Sequence, residues 1–600
     1  LGGRINGANV LKEGIMSNSY WDKVLNRRLT RRRAVAATGA TAAAAAFLAA
    51  CGGDDDDDDT GGGSTSGGGG GGGASPTQAP AASTGPQPGG HLIWQAYGDP
   101  GGGLELIKAR NAGVAGNMAG LTHDGLLHFA YGTPDYPGIS NDVIPSMAVD
   151  LPEISPDKLT VTFKIVEGAT FHNGQPVTSE DFRWTYDTWA FAEESAMKGD
   201  FSFLDSVEAP DDTTLVMHLN QVNADIVQTL VGKNLPGVLN REHQESGAAE
   251  NSLLGCGPWK FLEYSPPTVF KVEKYQDYWN KDNAGWFDSI DRLGTSDSEK
   301  KVADIISGQV HVTYWFPAEE RERIKEARDD LQVFQYPRAG SGQVYFREDK
   351  APWMDQRVRH AFSMGYDRQI LIDNVTEGEG QADQQLSRSG TAWGFRGPED
   401  LPRADLYDLN VAESMKLLSA AQVETPIKAD IPHWNSTVIG QKYVDEITLI
   451  VTQLRSNGLF DLNQLEETFG QFGPRFTGVY DDLKWGPNVT ATLPDLGLAI
   501  YRKYYGGGAV IEAPTFDESY TNNPEIDDLV TKQLQEFDTE TRKGLFRDLE
   551  DVLVEEMASS SGVTGQLTYF IDPTVKNAQM PRDAYNGSVA WMKYWYFGEA

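Results

Sequence analysis

Between Leu159 and Ile165 the chain alternates strictly: Leu159, Val161, Phe163 and Ile165 are apolar, and Thr160, Thr162 and Lys164 are polar. A period of two predicts a strand with one face buried and one wet. Glu167-Gly168 breaks the strand, and Asn173-Gly174 is the dipeptide that best tolerates the positive φ angles of a tight hairpin turn. Thr178 reads as a helix N-cap, with Asp181 placed where a capping-box acid reaches back. Phe182, Tyr186 and Trp189 follow at helical spacing and predict one buried aromatic face. Further on, Ser298 can cap a helix in which Val302, Ile305 and Ile306 share a face and which ends at Gly308. Val310, Val312 and Tyr314 then alternate as a strand.

The N-terminal region has a different pattern. Met16 is the first methionine, so residues 1–15 are read as an upstream extension. Lys23, Arg27, Arg28 and Arg31 to Arg33 form a basic region ahead of an Ala-rich apolar run, Ala34 to Ala50. At about 17 residues that run is short for a membrane span and suits the apolar region of a signal peptide. An amphipathic helix would need a polar face, which the run lacks. Leu48-Ala49-Ala50-Cys51 has the form of a lipobox, which implies lipidation of Cys51 and a signal segment 1–51. Thr30-Arg31-Arg32 resembles a twin-arginine export signal, with Ala34-Val35 in place of the usual Phe-Leu.

After Cys51 come six aspartates (Asp54 to Asp59), glycine runs and a Pro/Ala/Ser/Thr stretch to Pro88. Nothing in residues 52–88 can build a core, so a disordered tether is expected. The aspartate run lacks the turn glycine and distal glutamate of a calcium loop and reads as a self-repelling spacer. The remaining body, Gly89 to Ala600, is large enough for several domains. Residues 1–50 carry eight Lys/Arg and two Asp/Glu, so without them the formal charge moves from −35 to −41. That charge argues against nucleic acid as a partner and against an electrostatic grip on anionic lipid. Cys256 is the only cysteine besides Cys51, so the body has no internal disulfide.

No H-E-x-x-H, G-x-S-x-G, Walker A or EF-hand pattern occurs. The nine histidines are scattered. His123 and His128 have only Asp124 between them as a further ligand, and surface or capping roles are expected. Cys256 has no identifiable base and reads as a small core residue. No catalytic residue, metal or cofactor is expected, and the chain is not read as an enzyme. A secreted hydrolase on a similar tether remains the alternative from another class, with acid pairs in a cleft as its distinguishing mark.

The order of the pieces adds more. Glu167-Gly168-Ala169-Thr170-Phe171-His172-Asn173-Gly174-Gln175-Pro176-Val177-Thr178-Ser179-Glu180-Asp181-Phe182 closely resembles the "GVKFHDGTPLTAEDV" signature of extracellular solute-binding proteins of family 5. This is the dipeptide-, oligopeptide- and nickel-binding group that serves ABC importers. Leu254-Gly255-Cys256-Gly257-Pro258-Trp259-Lys260-Phe261 resembles the family's "GTGPYKF", and Val272 to Trp279 its "ERNPDYW". Asp355 to Arg368 resembles "DVRVRQALSYAIDR", and Asp408 to Ala421 "YDPEKAKALLKEAG". The resemblance is collinear from about residue 90 to 600.

The resemblance implies an α/β, two-lobed periplasmic-binding-protein-like fold of type II, with three domains. Domain I would combine 89–121, 251–345 and 566–600; domain II would be 122–250 and domain III 346–565. It implies a monomer, held on the outer face of the membrane or in the periplasm by its lipid. The protein would capture a peptide or similar oligomeric solute in a cleft between lobes and deliver it to an ABC permease. On family cleft positions lie Tyr97, Asp99, Trp393, His433, Trp434, Trp485, Asn488 and Asp495. The aspartate that pairs with a peptide ammonium in peptide-binding members is missing beside Trp485, where Gly486-Pro487-Asn488 stands, and neither Asp482 nor Asp495 aligns cleanly. A buried ammonium needs such a partner. Oligosaccharide stacked on tryptophan is therefore the second ligand class, and a nickel chelate the third.

Overall fold

A computed structural model describes residues 88–599, apart from 97–102, 109–113, 134–135, 196, 232–236, 267, 296, 315, 339, 389–392, 437–440, 469–470, 473–480, 488–495, 506–522 and 579–588. The strand Thr160–Lys164 buries Val161 and Phe163 and leaves Lys164 exposed, as the alternation predicts. Its hairpin is wider than a two-residue turn. Phe171 and Gln175 pair across His172-Asn173-Gly174, and only Gly174 takes a positive φ, +87°. A type I turn closed by one left-handed residue needs glycine at that last position alone. The helix Ser179–Phe191 follows, with the Asp181 carboxylate accepting from Thr178 N–H (2.8 Å) and Oγ1 (3.0 Å). Phe182, Tyr186 and Trp189 are buried on its inner face.

Seven strands form one mixed sheet in the order Gln332–Pro337, Gln566–Ile571, Val312–Tyr314, His91–Ala96, Ser289–Gly294, Val269–Lys274 and Trp259–Ser265. A four-stranded antiparallel sheet, Glu153–Ile154, Thr160–Lys164, Thr214–Leu219 and Leu204–Asp211, is docked to it by backbone. Gly257 N–H donates to Thr122 O (2.8 Å) and His172 N–H to Gly255 O (2.8 Å). A Cβ at Gly255 would stand 2.0 Å from Thr122 O, which explains the glycine there. Between these glycines, Cys256 is fully buried with Sγ 3.5 Å from Met147 Sδ, and burial pushes its thiol pKa up. It is a core residue, as expected.

Two expectations need correction. His123 is buried and not at the surface, although it closes the helix Val114–Thr122, its N–H donating to Ala119 O (2.7 Å): its Nδ1 meets Thr122 Oγ1 at 2.8 Å, and desolvation lowers its pKa to about 3. The helix Ser298–Ile306 is capped by Asp297 instead of Ser298, the Asp297 carboxylate accepting from Lys300 N–H (3.1 Å). Both residue types cap well, and the carboxylate also favours the positive end of the helix.

The chain leaves this first half after Pro337 and enters a second through the strand Gly342–Phe346, which pairs with Leu483–Pro487 and Ser559–Ser561. It returns through Ser561 to Gln566. The two crossings lie side by side: Arg338 N–H donates to Gly565 O (2.7 Å) and Gly562 N–H to Gly342 O (2.9 Å). The second half also holds the parallel pair Ile427–Trp434 and Phe460–Glu467, packed with the helices Gln356–Ser363 and Gln441–Ser456 around a large apolar cluster. Among the described residues no helix is long and apolar enough to cross a membrane.

Candidate functional site

The two crossings that join the halves are neighbours, and the returning strand is held firmly on the second half. Ser561 O accepts from Tyr366 OH (2.8 Å) and Arg368 Nε (3.0 Å). The Glu446 carboxylate, on helix Gln441–Ser456, accepts from Val563 N–H at 2.8 Å. Burial raises the pKa of Glu446 to about 8. A Cβ at Gly562 would meet Glu446 Oε1 at 2.0 Å, so the carboxyl group rests directly on the crossing backbone.

Period-two alternation in the strand Gly342–Phe346 sorts the side chains beside these crossings. Val344 and Phe346, with Trp485 and Leu483 opposite, enter the large apolar cluster. Gln343, Tyr345 and Lys484 take the other face. There Lys503 is fully buried and donates to Gln343 Oε1 (2.7 Å) and Gln385 O (3.1 Å). Gln343 Oε1 also accepts from Ser559 Oγ (3.0 Å), and Gln343 Nε2 donates to Ser561 Oγ (2.8 Å). Lys503 and Lys484 lie 5.3 and 5.0 Å from the ring centre of Tyr345. Desolvation drives the Lys503 pKa well down, with Asp383 opposing that shift. Sequence patterns single out neither lysine, because nothing local marks a buried one.

The sequence-predicted site residues separate into three groups. Tyr97, Asp99, Asn488, Asp495 and Cys51 lie outside the described residues. Trp434 and Trp485 share the large apolar cluster, both buried, with Trp434 5.0 Å from Phe472 between ring centres. His433 precedes Trp434 on the same strand, is buried, and donates from Nδ1 to Trp434 O (2.8 Å). Trp393 lies elsewhere. It is half-buried against a second cluster, edge-on to Phe546 at 5.0 Å, with the Arg542 guanidinium 5.1 Å from its ring centre.

Arg542 ties Trp393 to the first half. Its guanidinium donates to both oxygens of Asp225 at 2.5 and 2.7 Å, and both residues are buried. Asp225 Oδ2 also accepts from Gly497 N–H (2.6 Å), and Ala224 N–H donates to Leu534 O (2.7 Å). Lys158 Nζ sits 3.8 Å from the centre of the Phe537 ring. Among the described residues no group of His, Cys, Asp and Glu is placed to hold a metal ion.

Residues 142–469 match the model of bacterial extracellular solute-binding proteins, family 5. The chain belongs to that family. An ABC transporter peptide-binding protein of Brucella ovis is 27% identical over 243 residues, covering 38% of this chain and 43% of that protein. The match thus spans less than half the length of that relative. The oligopeptide-binding protein AppA of Bacillus subtilis, solved with a nonapeptide, superposes with a TM-score of 0.71 at 15% identity, covering 86% of this chain and all of that one. AgaA of A. tumefaciens R10, solved with agropinic acid, gives 0.69 at 19% identity over 85% and 99%. The fold is thus the type II periplasmic-binding-protein fold of the peptide-binding group, α/β and two-lobed, as the resemblance implies.

Proposed function

We propose that the chain is the solute-binding component of an ABC importer, lipid-anchored through Cys51, that closes its lobes on a peptide or similar oligomeric solute and presents it to the permease. Family membership supports the class. The observation that carries the mechanism is the pair of adjacent crossings at Arg338–Gly565 and Gly342–Gly562, which lets one half swing on the other. The proposed domain division follows the same line. Domain I is built on the seven-stranded sheet, domain II on the four-stranded sheet, and domain III on the segment between the crossings; because the strand Gly342–Phe346 pairs only with strands of the second half, the start of domain III moves from 346 to about 342.

Peptide is the proposed ligand, on the strength of the peptide-binding Brucella ovis relative and of the nonapeptide held by AppA. Calorimetry against a peptide panel and an oligosaccharide panel tests it. Micromolar or tighter binding to peptides is the expected result. Binding to oligosaccharides alone, or to neither panel, would overturn the peptide reading. N-acetylated peptides report on the ammonium: weaker binding points to an acidic partner such as Asp482 or Asp495, and equal binding to a site that holds the peptide by its backbone and side chains.

A further inference from the structure

We propose that the buried pair Asp225–Arg542 is a latch between the lobes, and that Gly497 is the residue that lets it shut. This rests on the two-lobed, hinge-closing reading above. Asp225 precedes the helix Ile226–Val231 in the first half; Arg542 belongs to the helix Thr539–Glu556 in the second. Opening about the crossings separates these segments. Ala224–Leu534 and Lys158–Phe537 accompany the pair. Among the described residues a second ion pair, Arg321–Glu379, also joins the halves, but its Glu379 is 40% exposed. It lies beside the crossings, where Gln381 and Ala382 pair with Thr564 and Val563, and so has little leverage on opening. In Asp225–Arg542 both charges are buried.

Arg542 is prepared for its partner. Gln533 Oε1 accepts from its Nη2 (2.9 Å) and Nε (3.3 Å), and the Trp393 ring flanks the guanidinium, so it keeps its direction when Asp225 withdraws. Asp225 then arrives at the start of the helix Leu496–Tyr504, where the Gly497 N–H completes its coordination. A Cβ at Gly497 would lie 2.0 Å from Arg542 Nη2, 2.4 Å from Asp225 Oδ2 and 2.6 Å from Gln533 Oε1. The missing side chain is the space that the pair fills.

The energetics favour a switch over a simple glue. A buried ion pair gains little net over two hydrated charges, whereas one charge buried without its partner is heavily penalised. The closed form therefore tolerates both charges or neither, but not one.

The test uses the full chain in a Cys51→Ala background, with dyes on Asp212→Cys and Glu424→Cys, both exposed positions; Cys256 is fully buried and stays unlabelled. Single-molecule energy transfer without added solute reads the closed-to-open ratio. Asp225→Asn is expected to lower it at least tenfold, because Arg542 is then buried alone. Asp225→Asn combined with Arg542→Gln is expected to recover most of the closed form. Gly497→Ala is expected to open the protein with both charges intact, and it decides the matter if Asp225→Asn fails to fold. Unchanged transfer in a folded Asp225→Asn or Gly497→Ala variant overturns the latch, as does a double variant as open as Asp225→Asn. Failure of peptides to bind the parent would instead count against the ligand reading and leave these outcomes standing.

Discussion

Gly342 and Trp485 are so close that a Cβ on the glycine would stand 2.0 Å from Cζ2 of the indole. They lie on paired strands, with Gly342 opposite Pro487 and Val344 opposite Trp485, and the ring covers the point where the chain enters the second half. Trp485 therefore packs the hinge. Trp485→Ala is expected to cost about 3–5 kcal/mol of stability, as large core truncations do. Urea denaturation followed by circular dichroism measures it. A variant that melts like the parent yet loses solute would return Trp485 to the cleft wall.

Gly342→Ala should act on the same contact from the other side. Overpacking of this kind costs roughly 1–3 kcal/mol. The same denaturation should detect it, and it should be smaller in a Trp485→Phe background, where the ring is narrower.

At Gly174 the φ of +87° makes a β-branched residue costly. Gly174→Val is expected to lose about 1–3 kcal/mol through strain alone. A thermal melt should fall while solute affinity holds. Lost affinity with an unmoved melt would give the hairpin a role in binding.

Glu446 carries a pH prediction. Its folded pKa, about 8, lies above the usual carboxyl value of 4.5, so the folded state holds a proton the unfolded chain releases. The stability this provides is fully present below pH 4.5 and is lost as the pH rises towards 8. Glu446→Gln keeps an oxygen for Val563 N–H without the charge. Its melting temperature should stay flatter than the parent's between about pH 5 and 8, with the largest gain at the alkaline end. Two parallel pH profiles would place the charge elsewhere.

Anchoring through Cys51 predicts that Cys51→Ala appears in the soluble fraction or remains unprocessed, since two or more acyl chains are needed for stable attachment. Membrane fractionation and gel migration check it. A variant that fractionates and migrates like the parent would remove the lipid from the proposal.

The segment from Thr160 to Trp189 was legible because its information is local: alternation, a turn glycine and a cap within reach of one another. The hairpin width was not, since Asn-Gly suits more than one turn and the pairing of Phe171 with Gln175 selects among them. The candidate site was less legible for a related reason. The resemblance put Trp485 and Trp434 on cleft positions, but which face a strand residue takes depends on parity. Lys484 and Trp485 point oppositely, and the parity is set by the partner Gly342–Phe346, far away in sequence. Asp225 and Arg542 could not be paired from sequence at all: each sits in an ordinary helical context, and only the assembled halves bring them together. The glycine between them carried the sole local trace, and a glycine near a helix start has many explanations.

The strand Gln566–Ile571 sits between Gln332–Pro337 and Val312–Tyr314 in the seven-stranded sheet. It is synthesised only after the entire second half. A growing chain must therefore hold a slot in its first sheet empty, with two strand edges exposed, until the whole second half has left the ribosome. The first lobe can reach its native form only afterwards, so folding order and synthesis order are opposed. A chaperone that guards open strand edges, or an export route that admits only finished protein, would each answer that delay.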